Sequence, residues 1–444
     1  MMKKRVALLA VLAVGLTAGG WFFVARRSTP AEAPARAVFR KQLPGWVVAR
    51  SRGPGVEAFD SLLTSAEPWP QVKAALEELE PAWPDEDRLK TASADVNRAL
   101  RDAGLDYWVD PMFPGRRPVL TTYEVLDRAS WSTADGGAST EALHVRRLDR
   151  LNLELGLLGH ASGDQPAILR DRVEVSVLDR LRVDPDEYPN EVDDAANRLW
   201  REQLGTLVNA AELTDAEARV NRRETLLREM EKRLKGGKVH VQRPERLVFG
   251  DEYFEVLEPF TDNRRRGGPL FLASDLRALR RADDALADTV GLRTLVQVID
   301  LEAAIVEAHE VRHALDRREL GVPALLQRLV GEGDERFGRL AEHELRAFLG
   351  QLHDSRPPAC LTVVALGQLA RGRFASSTPH FFAAHALLAT LGDLEAERGV
   401  TASEVVQVMR ELCALPDAEL RARAEAASVT LYGEALIPLV PTAL

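Results

Sequence analysis

Residues 293–320 constrain the fold more than any other part of the chain. The stretch reads as one strong helix, and Gly321 and Pro323 follow it as a helix stop requires. It is apolar around its centre, at Ile305, Val306, Ala308, Val311, Ala314 and Leu315, which predicts a buried helix rather than a solvated one. From residue 273 to the C-terminus the pattern is helical throughout. Strands are expected earlier: 119–126, with a turn at 134–137 and a partner at 142–145, and again over 238–257, where apolar and polar residues alternate. The best helix of the first half covers 85–103, with Leu89, Ala92, Val96 and Leu100 at helical spacing; 148–235 reads as largely helical. The fold class is α+β, predominantly helical, with a small β element ahead of a C-terminal helical region.

The central helix carries His309-Glu310-Val311-Arg312-His313. Histidines four apart lie on one helical face, so both rings can reach one tetrahedral zinc. Glu310 sits beside the first ligand, placed to hold a metal-bound water and take its proton. Asp316, one turn beyond His313, is either an acceptor for a ligand histidine's free N–H or an exposed charge near the helix end.

A catalytic zinc needs a third protein ligand and an open position. No downstream histidine follows in the spacing that would complete a three-histidine set. A second helix is expected over 334–352, capped by Asp334, and it carries Glu342, His343 and Glu344. Glu344 has Ala341 and Ala347 one turn to either side, small neighbours that let two helices approach. Glu342 is flanked by Arg339, Leu345 and Arg346. Glu344 is therefore the preferred third ligand, with His343 and Glu342 as alternatives.

His309-Glu310-x-x-His313 with Glu344 on a later helix resembles the gluzincin group of zincin metallopeptidases. The resemblance covers residues 293–352 and implies one zinc per chain, Glu310 as general base and a peptide or protein substrate. Phe348 stands where the group commonly has an aspartate four residues after the third ligand. Related peptidases use a histidine or tyrosine to stabilise the oxyanion, which nominates His385 or Tyr432; both also read as structural residues. His380 opens the same expected helix as His385, and His144, His160, His240 and His353 read as structural or surface histidines.

Residues 6–24 hold no charge, span roughly 28 Å as a helix, and follow Lys3, Lys4 and Arg5. They predict a signal anchor over 1–27 with the body on the extracytoplasmic side, periplasmic or extracellular. A cleavable signal peptide is the rival, and it would make the protein secreted. A Pro/Ala-rich linker covers 28–43, an N-terminal domain of unassigned role 44–205, and a zincin-like domain 206–444. The net charge is −10, and the first 27 residues hold five basic residues and no acid, which leaves −15 on the remainder. An acidic body is a poor phosphate binder, so nucleic acid is not an expected partner. Cys360 and Cys413 form no CxxC pair; free buried thiols are favoured over a disulfide. The functions in competition are a membrane-anchored zinc peptidase, a non-catalytic envelope binding or assembly protein on the same scaffold, and a helical envelope protein with an accidental motif.

Overall fold

The computed structural model describes residues 43 and 70–442, except 84, 114–117, 149–157, 163–164, 183–189, 242, 245, 262–268, 288, 317, 319, 332–334, 355, 373–374, 376 and 395–398. The apolar run 6–24, the linker up to residue 42 and Asp334 lie outside the described residues. Among those described, no helix is long and apolar enough to cross a membrane.

The chain divides into two compact units, Met1–Glu124 with Leu148–Asn152, and Val125–Arg147 with Leu153–Leu444. The first contains α1 (Pro70–Glu77), α2 (Leu79–Ala82), α3 (Glu86–Asp102), β1 (Tyr107–Met112) and the start of β2 (Val119–Thr133). Asp85 caps α3 by accepting the Arg88 N–H at 2.9 Å. The expected Leu89, Ala92, Val96 and Leu100 are buried, in one core with Val72, Leu76, Val109 and Leu120. Asn97 bonds both backbone groups of Val109 through its side-chain amide, at 2.8 and 2.9 Å, which ties α3 to β1. β1 and β2 pair antiparallel from Tyr107 opposite Glu124 to Met112 opposite Val119.

The second unit holds the rest of β2, β3 (Ser139–Arg147), β4 (Gly159–Ser162), β5 (Gln165–Leu169) and β6 (Leu439–Thr442). The expected turn joins β2 to β3, and Gly136 takes the positive φ of 71° that it needs. The strand order is β2-β3-β5-β4, with β3–β5 parallel and β4–β5 antiparallel; β6 pairs antiparallel with β2. The helices follow: α4 (Arg170–Leu181), α5 (Glu191–Leu207), α6 (Ala210–Gly236), α7 (Asp251–Leu257), α8 (Ala273–Leu286), α9 (Thr289–Leu315), α10 (Ala324–Val330), α11 (Glu335–Asp354), α12 (Ala359–Arg371), α13 (Pro379–Leu391), α14 (Ala402–Cys413) and α15 (Asp417–Tyr432).

α9 is the centre of this unit, packed on β3, β4 and β5 on one side and on α6 and α11 on others. It buries Leu295, Val298, Ile299, Ala303, Ile305, Val306, Ala308 and Val311. Two buried glutamates fasten it. Glu302 accepts the Trp200 indole N–H and an Arg180 N–H, and Glu307 accepts the Trp131 indole N–H and pairs with His144 Nε2 at 2.7 Å. Each such bond to a charged acceptor contributes about 1.5–3 kcal/mol, and together they fix the helix against β2, β3, α4 and α5.

Several expectations need correction. Residues 251–257 form α7, not a strand: Tyr253, Phe254 and Leu257 make one helical face against Leu227, Met230 and Leu234 of α6. β4 and β5 precede the helices of 148–235, and β6 ends a segment expected to be wholly helical. The division expected after residue 205 falls within α5. α9 stops at Leu315, five residues early, where the Asp316 carboxylate turns to Arg318 and Arg346. Cys360 and Cys413 form a disulfide with Cα atoms 4.8 Å apart, because α12 and α14 pack side by side.

Candidate metal centre

Four helical residues from three elements meet on one side of α9. His309 and His313 sit one turn apart, their rings 4.7 Å between centroids and their Nε2 atoms 3.1 Å apart. Glu344 reaches across from α11, its Oε2 at 3.2 Å from His309 Nε2 and 3.4 Å from His313 Nε2. Ala341 and Ala347 are fully buried beside it, so no side-chain bulk holds the helices apart. His380, in the first turn of α13, brings its Nε2 to 3.1 Å from the same Glu344 oxygen. His309, Glu344 and His380 offer ligand atoms all within 4.8 Å of one another, and His313 is closer than that to the first two.

Donor spacing tests whether a zinc ion fits. With bonds of roughly 2.0–2.1 Å to nitrogen, the donors of a tetrahedral site stand roughly 3.3–3.4 Å apart. The three separations among His309, His313 and Glu344 are 3.1, 3.2 and 3.4 Å, close to the spacing such a site requires.

Burial pushes the Glu344 carboxyl up, but hydrogen bonds and charge from His309 and His313 outweigh it and hold the group well below the usual carboxylate range. Burial pulls His309 down, and Glu344, Glu310 and Gln351 more than reverse it, so its pKa is raised. Glu310 is raised, chiefly by burial, with His309 and His313 opposing. His380 is lowered, first by burial.

Glu310 faces β4, the last strand of the sheet among the described residues. A Cβ on Gly159 would stand 2.8 Å from Glu310 Cγ, so the strand approaches this carboxylate as closely as only glycine permits.

The remaining candidates lie elsewhere. Asp316 accepts no histidine N–H; it is ringed by Arg318 at 2.9 Å, Arg346 at 3.2 Å and Arg312 at 3.7 Å. Glu342 turns away from the triad to Arg346 at 2.7 Å. His343 is exposed and stacks on His313 with centroids 6.0 Å apart. His385 is buried, its Nε2–H donating to Ala370 O and its Nδ1 accepting from Val400 N, so it serves the α12–α13 packing rather than the centre. Tyr432 is half-buried, and burial first, then the charge of Glu342, pushes its hydroxyl above the usual phenol range. His380, the neighbour of Glu344, and Gln351, whose Oε1 meets His309 Nδ1 at 3.1 Å, take the places that sequence reasoning offered to others. Gln351 was open to detection, since positions 344, 348 and 351 share one helical face. His380 was not, because its position rests on how α13 lies against α11.

The chain matches no protein-family model, and no curated protein or solved structure matches it.

Proposed function

We propose that the chain is a zinc-dependent peptidase of the gluzincin kind, holding one zinc per chain on His309, His313 and Glu344. The observation that carries the reading is the convergence of both ring nitrogens on one Glu344 oxygen at 3.2 and 3.4 Å, with the buried Glu310 carboxylate close enough to feel the charge of both rings. Zinc bound there supplies Lewis acidity, polarising a carbonyl and lowering the pKa of a water to about 7.

The chain's own residues do the rest. Glu310, held in a buried pocket that raises its pKa, takes a proton from the water as its oxygen bonds to the carbonyl carbon. It then returns the proton to the amine nitrogen as the C–N bond breaks. His380 lies next to the triad; its Nε2, 3.1 Å from Glu344 Oε2, would turn its N–H toward the negative charge growing on the carbonyl oxygen once a metal holds that carboxylate. A peptide is the substrate this reading expects, since among the described residues β4 is the last strand of the sheet and its Gly159 lies against Glu310. An extended chain pairing with that edge would run its main chain past the carboxylate. The Cys360–Cys413 disulfide supports an oxidising, extracytoplasmic location, as does the uncharged run 6–24 if it anchors the chain in a membrane.

One observation favours the non-catalytic envelope reading: His380 is a possible fourth protein donor, and four would close the site. Full-length protein loaded with zinc separates the two. The peptidase reading expects hydrolysis of an unfolded casein substrate, lost in Glu310→Gln with zinc retained, and zinc retained in His380→Ala. Absence of hydrolysis together with zinc loss in His380→Ala would instead establish the closed site.

A further inference from the structure

We propose that Gln351 is the positioning residue for the metal site, holding His309 through a neutral amide. The inference rests on the zinc reading above and goes beyond it, since the resemblance supplies no partner for His309 once Phe348 replaces the usual aspartate.

The geometry is specific. Glu344, Phe348 and Gln351 occupy one face of α11, at spacings of four and three residues, and that face meets α9. The Phe348 ring packs on the His309 ring at 4.7 Å between centroids, tilted by 51°, and blocks one face of the imidazole. Gln351 closes the far side: its Oε1 lies 3.1 Å from His309 Nδ1. Gln351 is only 5% exposed and His309 7%, so water does not compete for that bond. An amide oxygen can only accept, so Nδ1 carries the proton. Nε2, which hydrogen-bonds Glu344 at 3.2 Å, is thereby the nitrogen that would exchange its proton for a cation held there.

A neutral acceptor has a consequence that a carboxylate would not. A carboxylate partner draws the Nδ1 proton toward itself and makes the ring a more basic ligand; an amide orients the ring with less of that effect. Zinc on this site is then held somewhat less tightly, and keeps more of its own charge for the substrate.

The test is zinc affinity, measured on the full-length chain by competition with a chromophoric chelator. Gln351→Leu keeps the volume and removes the acceptor, and it is expected to bind zinc 10–100-fold more weakly. Gln351→Glu restores an acceptor and adds basicity, and it is expected to bind zinc at least as tightly as the wild type. Far-ultraviolet circular dichroism and thermal melts of the metal-free variants report folding separately. Wild-type binding with an unchanged Gln351→Leu overturns the inference alone. Gln351→Glu as weak as Gln351→Leu does the same, since it reduces the residue to packing. A wild-type chain that binds no zinc overturns the metal reading and this inference with it.

Discussion

Gly159→Ala puts the contact between the edge strand and Glu310 under direct strain. The added Cβ would stand 2.8 Å from Glu310 Cγ, 2.8 Å from Val306 Cγ1 and 3.0 Å from Ala167 O. Carbon atoms ordinarily meet at about 3.5–4.0 Å, so each carbon contact must open by about 0.7 Å or more. The two side chains can swing, but Ala167 O is main chain of β5, opposite His160 in the β4–β5 ladder, and gives little. Relief therefore comes from moving Val306 and Glu310. Overpacking of this degree costs about 1–3 kcal/mol; because side chains supply part of the relief, about 2 kcal/mol is expected. That is about a thirtyfold change in the folding equilibrium constant. Urea titration reads it as a lower midpoint at unchanged slope. A displaced general base is expected to lower hydrolysis about 100-fold. Gly205→Ala is the control: it lies in α5 with open space around it, and should stabilise by about 0.5–1 kcal/mol. Wild-type stability and activity in Gly159→Ala would refute the close approach of β4 to the motif helix.

Further outcomes follow from other parts of the second unit. His380→Ala is expected to keep its zinc and lose about 100–1,000-fold in kcat, as removal of one oxyanion donor does; steady-state kinetics on a peptide substrate measure it. Reducing Cys360–Cys413, which closes a loop of 53 residues, should destabilise by about 4 kcal/mol in the chain-entropy account, read from urea midpoints with and without reductant. Burial pushes Glu342 up to about 7 from an ordinary 4.5, against the opposing charge of Arg346. The folded state thus binds this proton more tightly than the unfolded one. The resulting stabilisation is full below about pH 4.5 and is lost as pH rises to about 7. Glu342→Gln should remove about 1–3 kcal/mol of that slope, seen by comparing urea melts at pH 5 and pH 8; an unchanged slope would count against it.

What the sequence revealed and concealed has physical reasons. α9 was legible because a long run that is apolar around its centre has few other ways to fold, although it ends at Leu315, before the expected stop at Gly321. The approach of Glu344 to His309 and His313 was legible because alanines one turn to either side mark where a helix can come close. α7 was misread because Tyr-Phe-Glu-Val-Leu satisfies both a two-residue and a 3.6-residue period, and only the waiting apolar side of α6 decides. β4 and β5, at four and five residues, are too short to show alternation. Asp316 was expected inside the helix, but the helix ends at Leu315 and three arginines claim its carboxylate. His380 and the Cys360–Cys413 pairing depend on which helices become neighbours, information held by the whole core and by no local pattern.

Zinc content per chain is the most direct test of the centre itself. Elemental analysis of the full-length protein after zinc loading and dialysis should give one zinc in the wild type and in Glu310→Gln, and none in His309→Ala, His313→Ala or Glu344→Ala. A wild type without zinc, or a Glu344→Ala protein that keeps a full equivalent, would contradict the account.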